Sequence, residues 1–345
     1  MRAILVGLIL SGLAVDGCTG TVTSTCEGED AIPPLDQLVH VQKLVAEGNA
    51  HAEAQLADAY LWGKGVPQNE NEALLLLNSS AKHGDSEGQF LLAIYHASLK
   101  THGDLQKAAY WLFYSAKNGC IPAELNIGIL MSRGLIVGKS KEDGLKIIEK
   151  IANEGNPEAQ LWLGTMLLSG KDTAKDVAKG FYWTKLASDK NYQPARFTLA
   201  GLYIQGLGAV ADPENGVNLL KSIVDNKNTL SIGAAYSLGV FYMDGKYIKK
   251  NTTEAIHWMA LASKEKFGDS EERLRKLLQN IPQWQVVTDC PVYLDEGLTK
   301  PDEASNALKK NDSVYMLGSE PSSQMVFIPT QSSVRYISRQ CTLFQ

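Results

Sequence analysis

The chain has 345 residues, 44% of them hydrophobic and 21% charged, with a formal net charge of -5 and a pI near 5.8. That balance is globular, and it lacks the basic excess by which a protein is held on nucleic acid or on an anionic membrane surface.

Arg2, the apolar run Ile4 to Val15 and the small or polar residues after it read as an export signal over residues 1–18, too short to span a bilayer. Gly17-Cys18, followed by the Thr/Ser-rich Thr19 to Thr25, resembles a bacterial lipoprotein signal, which implies lipidation of Cys18; Asp16 departs from that pattern. The expected location is the periplasm or outer membrane, lipid-anchored through Cys18 as the sole membrane contact, with simple secretion as the alternative. Residues 19–34 read as a flexible linker. In an oxidising compartment the remaining cysteines form an even set, Cys26, Cys120, Cys290 and Cys341. Cys290 and Cys341 flank the last segment and are the expected disulfide, while Cys120, at a repeat junction, reads as a buried small hydrophobe.

Residues 35–47 predict an extra helix ending at Gly48, a cap on the helices C-terminal to it. Small residues then recur at Ala52, Gly88, Ala123, Ala159, Ala195 and Ala234, in steps of 36, 35, 36, 36 and 39 residues. Each is followed four residues later by an aliphatic side chain and then at once by a small one, as in Leu56-Ala57 and Ile127-Gly128, a spacing that lets a second helix approach closely. Gly63, Gly134, Gly170, Gly206 and Gly245 fall where a left-handed cap would end the first helix; Leu99 takes that place in the second copy and predicts a different turn. The second helix of each copy carries a small residue and, three later, a large one, among them Trp111, Trp183 and Trp258, whose shared register marks them as core. Such a pair of helices cannot bury its apolar faces alone, so neighbouring pairs must stack.

The string Ala52 to Tyr60, then Gly63-Lys-Gly-Val-Pro-Gln68, resembles the Sel-1-like repeat (SLR), a relative of the tetratricopeptide repeat, and the resemblance covers about two-thirds of the chain. It implies a mainly α fold, a right-handed α/α solenoid of about six SLR repeats with cap helices over 35–280, followed by a small β-rich domain over 284–345. Members are typically adaptors in signalling, envelope assembly or host contact, and some are immunity proteins that neutralise secreted antibacterial effectors. The resemblance therefore implies a non-enzymatic scaffold of the bacterial envelope that holds another protein, an immunity protein against an effector such as a lipase being one version. A cysteine-rich branch of the family is associated with β-lactam binding or hydrolysis, through a cysteine pair in each repeat that this chain lacks. That enzyme, and an envelope-assembly or cell-wall attachment factor, are the competing readings.

Asp269 to Asn280 predicts a terminal charged helix. After Ile281-Pro282 the spacing turns β-rich, in Val286-Val287, Pro291 to Leu294, Ser313 to Leu317, Met325 to Ile328 and Val334 to Ile337. Leu308 to Gly318 and the two later runs resemble a bacterial SH3-like barrel, without the tryptophan such domains often carry.

Signals of chemistry are few. Ser79-Ser-Ala-Lys82 matches the serine-x-x-lysine string of penicillin-recognising enzymes, but it falls on the repeat's own closing position and no Ser-Asp-Asn or Lys-Thr-Gly accompanies it. The six histidines form no metal pair, and Gly63-Lys-Gly65 lacks the spacing of a phosphate cradle. No catalytic, cofactor or metal residue is expected. Positions that break the repeat's polar register are more informative. The fourth reads Gln55, Leu91, Asn126, Trp162, Thr198, Ser237, and the eleventh reads Trp62, Ser98, Arg133, Ser169, Gln205, Asp244. Trp62 and Trp162 stand out, either as anchors for a protein partner or as packing against an adjoining repeat.

Overall fold

The computed structural model describes residues 35–345 except 100–101, 225–228, 287–288, 295–299, 303–306, 311, 320–322, 332, 339–340 and 344–345. The expected signal, the linker, Cys18 and Cys26 lie outside the described residues. Among the described residues, fourteen helices precede a small antiparallel sheet, the α/α repeat architecture with a β-rich end that the sequence led us to expect. The chain divides into two compact units, Met1–Tyr192 and Gln193–Gln345.

The first unit opens with α1 (Leu35–Ala46) and continues as four helix pairs: α2 (Ala50–Trp62) with α3 (Glu70–Lys82), α4 (Ser86–Ser98) with α5 (His102–Lys117), α6 (Ile121–Ser132) with α7 (Lys141–Asn153), and α8 (Pro157–Ser169) with α9 (Val177–Asp189). Each helix packs on the next. The starts are set locally: Asn49, Asn69, Asp85, Ser140, Asn156 and Asp176 each accept a hydrogen bond from a first-turn amide of the helix they precede, an arrangement contributing about 1 kcal/mol per cap. At the other end of α2 and α8, Gly63 and Gly170 take φ of 65° and 67° and close the helix with a hydrogen bond donated by the backbone N–H to Ala59 O and Met166 O. Leu99, which cannot adopt that conformation cheaply, instead ends α4 in the right-handed region.

A second regularity runs through the unit and was not expected. The residue after each repeat's leading small residue ties helices together. Glu53 accepts from Ser79 Oγ (2.9 Å) and Glu124 from Lys150 Nζ (3.0 Å), both reaching the second helix of their own pair. Gln89 and Gln160 donate back to Ala81 O and Ala152 O of the preceding pair, each at 3.1 Å. Between these latches lie apolar clusters. Ala57, Ala73, Leu77 and Leu92 form one, and Leu125, Ile148, Ile151 and Leu163 another, with Trp111 and Trp183 packed against the clusters beside them. Cys120 is fully enclosed in such a cluster, but it is disulfide-bonded. Its reading as a buried small residue and not a reactive thiol agrees with its 1% exposure, and its sulfur is in addition covalently committed.

The second unit holds α10 (Gln193–Gln205) with α11 (Pro213–Val224), α12 (Thr229–Asp244) with α13 (Thr252–Lys264), and the terminal α14 (Ser270–Leu278). The same latch recurs where Arg196 donates to Ser222 Oγ at 2.7 Å. Five strands come after the helices: β1 (Gln283–Val286), β2 (Ser313–Ser319), β3 (Ser323–Ile328), β4 (Ser333–Ser338) and β5 (Thr342–Leu343), ordered β4-β3-β2-β1-β5 and antiparallel throughout. Pro291 to Leu294 contributes no strand of its own; within it Tyr293 bridges Tyr336 on the outer edge of β4 with two backbone bonds of 2.9 and 3.0 Å, which shields an edge that could otherwise pair with another chain.

Both faces of the sheet are used, because side chains alternate along each strand. Val314, Val326, Ile328 and Ile337 fill the small domain's own core with Val286, Val292 and Leu308. Phe327, Tyr315, Leu317 and Val334 point the other way and share a cluster with Tyr236, Ile256, Met259 and Leu274. The last helix pair and the sheet thus have one continuous core. Cys290 and Cys341 are joined by a disulfide with Cα atoms 6.0 Å apart, and Asp302, 8% exposed, pairs with Arg335 of β4.

Candidate partner-binding surface

A catalytic site in the first unit would have to be built from its polar clusters. Ser79 does not meet Lys82. Its hydroxyl donates to Glu53 Oε1, whose second oxygen lies 3.7 Å from His83 Nδ1. Serine and histidine thus converge on a shared carboxylate and not on each other, so they do not form a serine–histidine pair. His51 Nδ1 lies 3.3 Å from Asp85 Oδ1, while Asp85 Oδ2 caps α4 through Gly88 N (2.6 Å) and accepts from Ser80 Oγ (3.2 Å). These contacts run between consecutive helix pairs and hold them in register. Among the described residues no group of His, Cys, Asp or Glu is arranged to hold a metal ion, and no helix is long and apolar enough to cross a membrane.

Asp85 carries a consequence for stability. Burial pushes its carboxyl up, but the hydrogen bonds from His51 and Gly88 and the charge of His51 outweigh that and hold it below the ordinary value of 3.8. A carboxyl whose folded pKa is depressed contributes stability that is present above its unfolded pKa and is lost as pH falls through the folded one. Asp85→Asn is therefore expected to destabilise the protein at neutral pH and to flatten the fall in melting temperature below about pH 4; equal slopes for both proteins in a pH-resolved thermal melt would contradict this latch.

The two register-breaking tryptophans sit in different surroundings. Trp62, the last residue of α2, is 49% exposed. Trp162, in the second turn of α8, is half-buried against the cluster of Leu125, Ile129 and Leu163, and the Arg133 guanidinium lies over its ring, 5.0 Å from the centroid. Two helix pairs stand between them, so they do not form one patch. Arg133 follows α6 and is itself an eleventh-position residue, one repeat before the fourth-position Trp162. Reading the two positions against each other across neighbouring repeats would have singled out this pair.

A second feature escaped the sequence because large side chains are common on the second helices, where Trp111, Trp183 and Trp258 belong to the register, so exposed ones do not stand out. On α5, Tyr110, Phe113 and Tyr114 are 53%, 54% and 38% exposed. Their rings touch, with centroids 4.8 Å apart for Tyr110–Tyr114 and 5.9 Å for Phe113–Tyr114. Three aromatics at helical spacing on one outer face make up an exposed apolar surface of the kind that marks protein contacts.

The Sel1 repeat model matches residues 50–85, 86–120, 157–192 and 232–267, four of the six helix pairs. A Sel1-repeat-containing protein of Escherichia coli (strain K12) is 26% identical over 219 residues, covering 61% of this chain and 91% of the relative. Among solved structures, a protective antigen of uropathogenic Escherichia coli with an SLR fold superposes with a TM-score of 0.56 at 23% identity, over 72% of this chain and 53% of that one. This chain thus matches about half the length of the antigen. A Sel1 repeat protein from Oxalobacter formigenes gives 0.55 at 23% identity, over 66% and 90%. At these identities the structural likeness establishes the fold.

Proposed function

Because this chain is a Sel1-repeat protein, we propose that it works as a non-enzymatic scaffold that holds another protein, through aromatic anchors on its repeats, in the bacterial envelope. The observation that carries the reading is the division of labour among its side chains. The polar clusters of the first unit are used as caps and as latches within and between helix pairs, while large aromatics, Trp62, Tyr110, Phe113 and Tyr114, are left exposed on the stack. Burying such rings yields much contact energy for little conformational entropy, since each has only two torsions to freeze. The export-like start of the sequence supports an envelope location, tethered through Cys18 or released. A finer version, in which the bound protein is a secreted antibacterial effector, rests on that start joined to repeats of an adaptor family.

Affinity capture from envelope extract of the source cell, with the wild-type chain beside a Trp62→Ala/Trp162→Ala variant, tests this. A stoichiometric protein partner weakened by on the order of 2 kcal/mol or more in the variant is the expected outcome. A partner retained equally by both would leave the scaffold standing and assign the two tryptophans to packing; no partner for either protein would refute the scaffold.

A further inference from the structure

We infer that Arg133, laid across Trp162, is the receptor for a carboxylate side chain of the bound protein, an aspartate or glutamate presented next to an apolar residue; this rests on the scaffold reading above. Arg133 is half-buried, yet none of its N–H groups has a hydrogen-bond or ion-pair partner among the described residues. A guanidinium lying over an indole leaves its in-plane N–H donors available to meet a carboxylate with two parallel bonds.

The surroundings add charge of the same sign. Lys141, the first residue of α7, lays its side chain over Gly134, with Cε 2.8 Å from where a side chain at Gly134 would begin, and makes no ion pair among the described residues. Of the carboxylates next to it, Asp143 pairs with Lys146 Nζ at 2.9 Å, while Glu142 accepts from Ser140 Oγ at 2.8 Å and feels the charge of Lys141 without forming an ion pair with it. Glu158, one turn before Trp162 on α8, makes no ion pair with Arg133, and burial alone pushes its carboxyl up. Two cations thus stand without an ion-pair partner among the described residues where α6 turns into α7, with Glu142 the one neighbouring carboxylate that feels the charge of Lys141. The loop that joins them exposes Leu135 (36%) and Val137 (78%). Net positive charge beside a tryptophan and two exposed aliphatics complements an acidic residue flanked by apolar ones, and excludes a basic partner segment by like-charge repulsion.

The test is selection of random twelve-residue displayed peptides on the full-length chain, followed by affinity measurements with synthetic copies of those selected. Enrichment of aspartate or glutamate beside an apolar residue is expected, with binding weakened at least about tenfold by Arg133→Gln and by amidating the peptide's acid, and less by Arg133→Lys, which keeps the charge but loses the fork. The two losses should not add when combined, because they remove the same contact. Thermal melts that match wild type would exclude misfolding as the cause. Selected peptides without an acid, or binding that survives Arg133→Gln, overturn the assignment and leave the scaffold intact. Failure to select any peptide overturns it together with the scaffold.

Discussion

Gly144→Ala is expected to destabilise the protein by about 2 kcal/mol, against the sign that helix propensity alone would give. Alanine is favoured over glycine inside a helix by about 1 kcal/mol, and Ala73, Ala108 and Ala255 occupy the same register position in three other pairs. At Gly144, however, an added Cβ would lie 2.6 Å from Gly128 O and 2.7 Å from Met131 Cβ, and closer still to the Ser132 amide nitrogen. Two of those three obstacles are backbone, which cannot swing aside, so α6 and α7 would have to separate. The comparison is Gly180→Ala in the next pair, where Leu168 Cγ lies at 2.7 Å, part of a side chain that can change rotamer, and the one backbone obstacle, Gly164 O, is farther off at 2.9 Å. Chemical denaturation of both variants decides the matter: a loss at Gly144 clearly larger than at Gly180 is expected, and a gain at Gly144 would show that the helices are not held so close.

Removing the Cys290–Cys341 disulfide, as Cys290→Ser/Cys341→Ser, is expected to cost the second unit about 2–4 kcal/mol. The bond closes a separation of 51 residues, and a constraint of that length removes considerable freedom from the unfolded chain; the chain-entropy model puts the upper figure near 4 kcal/mol. Both sulfurs also lie within the apolar cluster of Val286, Val314 and Ile337, so the serines would leave hydroxyls in an apolar site. Because Phe327, Tyr315 and Val334 share a cluster with Tyr236 and Ile256, the loss should reach beyond the sheet into α12 and α13. Hydrogen exchange is the measurement, with amides of β2–β4 and of α13 expected to lose protection together. Unchanged protection in α13 would show that the sheet opens without disturbing the helices it packs on.

The local layout was legible in the sequence because each element carries its own punctuation. Steps near 36 residues place every first helix, side-chain caps such as Asn49, Asp85 and Asn156 begin helices, and glycines with positive φ such as Gly63 and Gly170 end them. These are interactions between residues a few positions apart, so the order of residues suffices to specify them. The packing of Trp111 and Trp183 against the apolar clusters also followed from their shared register, whereas register left the surroundings of Trp62 and Trp162 open.

Other features depended on residues far apart in the chain. Arg133 and Trp162 are 29 positions apart and meet because adjacent helix pairs stack at a fixed offset, which turns two unremarkable register positions into one cation–aromatic pair. Gly144 differs from Ala73 only in how closely its partner helix approaches, a distance set by Gly128 across the interface. Cys120 looked like a small apolar residue because its neighbours are apolar, and its covalent bond was invisible to any local pattern. The double-sided use of the sheet, one face for its own core and one for α12 to α14, arises because strand alternation offers two apolar faces and only the assembled chain decides what covers each. The sequence by itself determined the repeat and the ends of its helices; the tertiary structure alone decided which side chains are spent holding the stack together and which remain exposed, because that depends on contacts between helices the sequence does not place side by side.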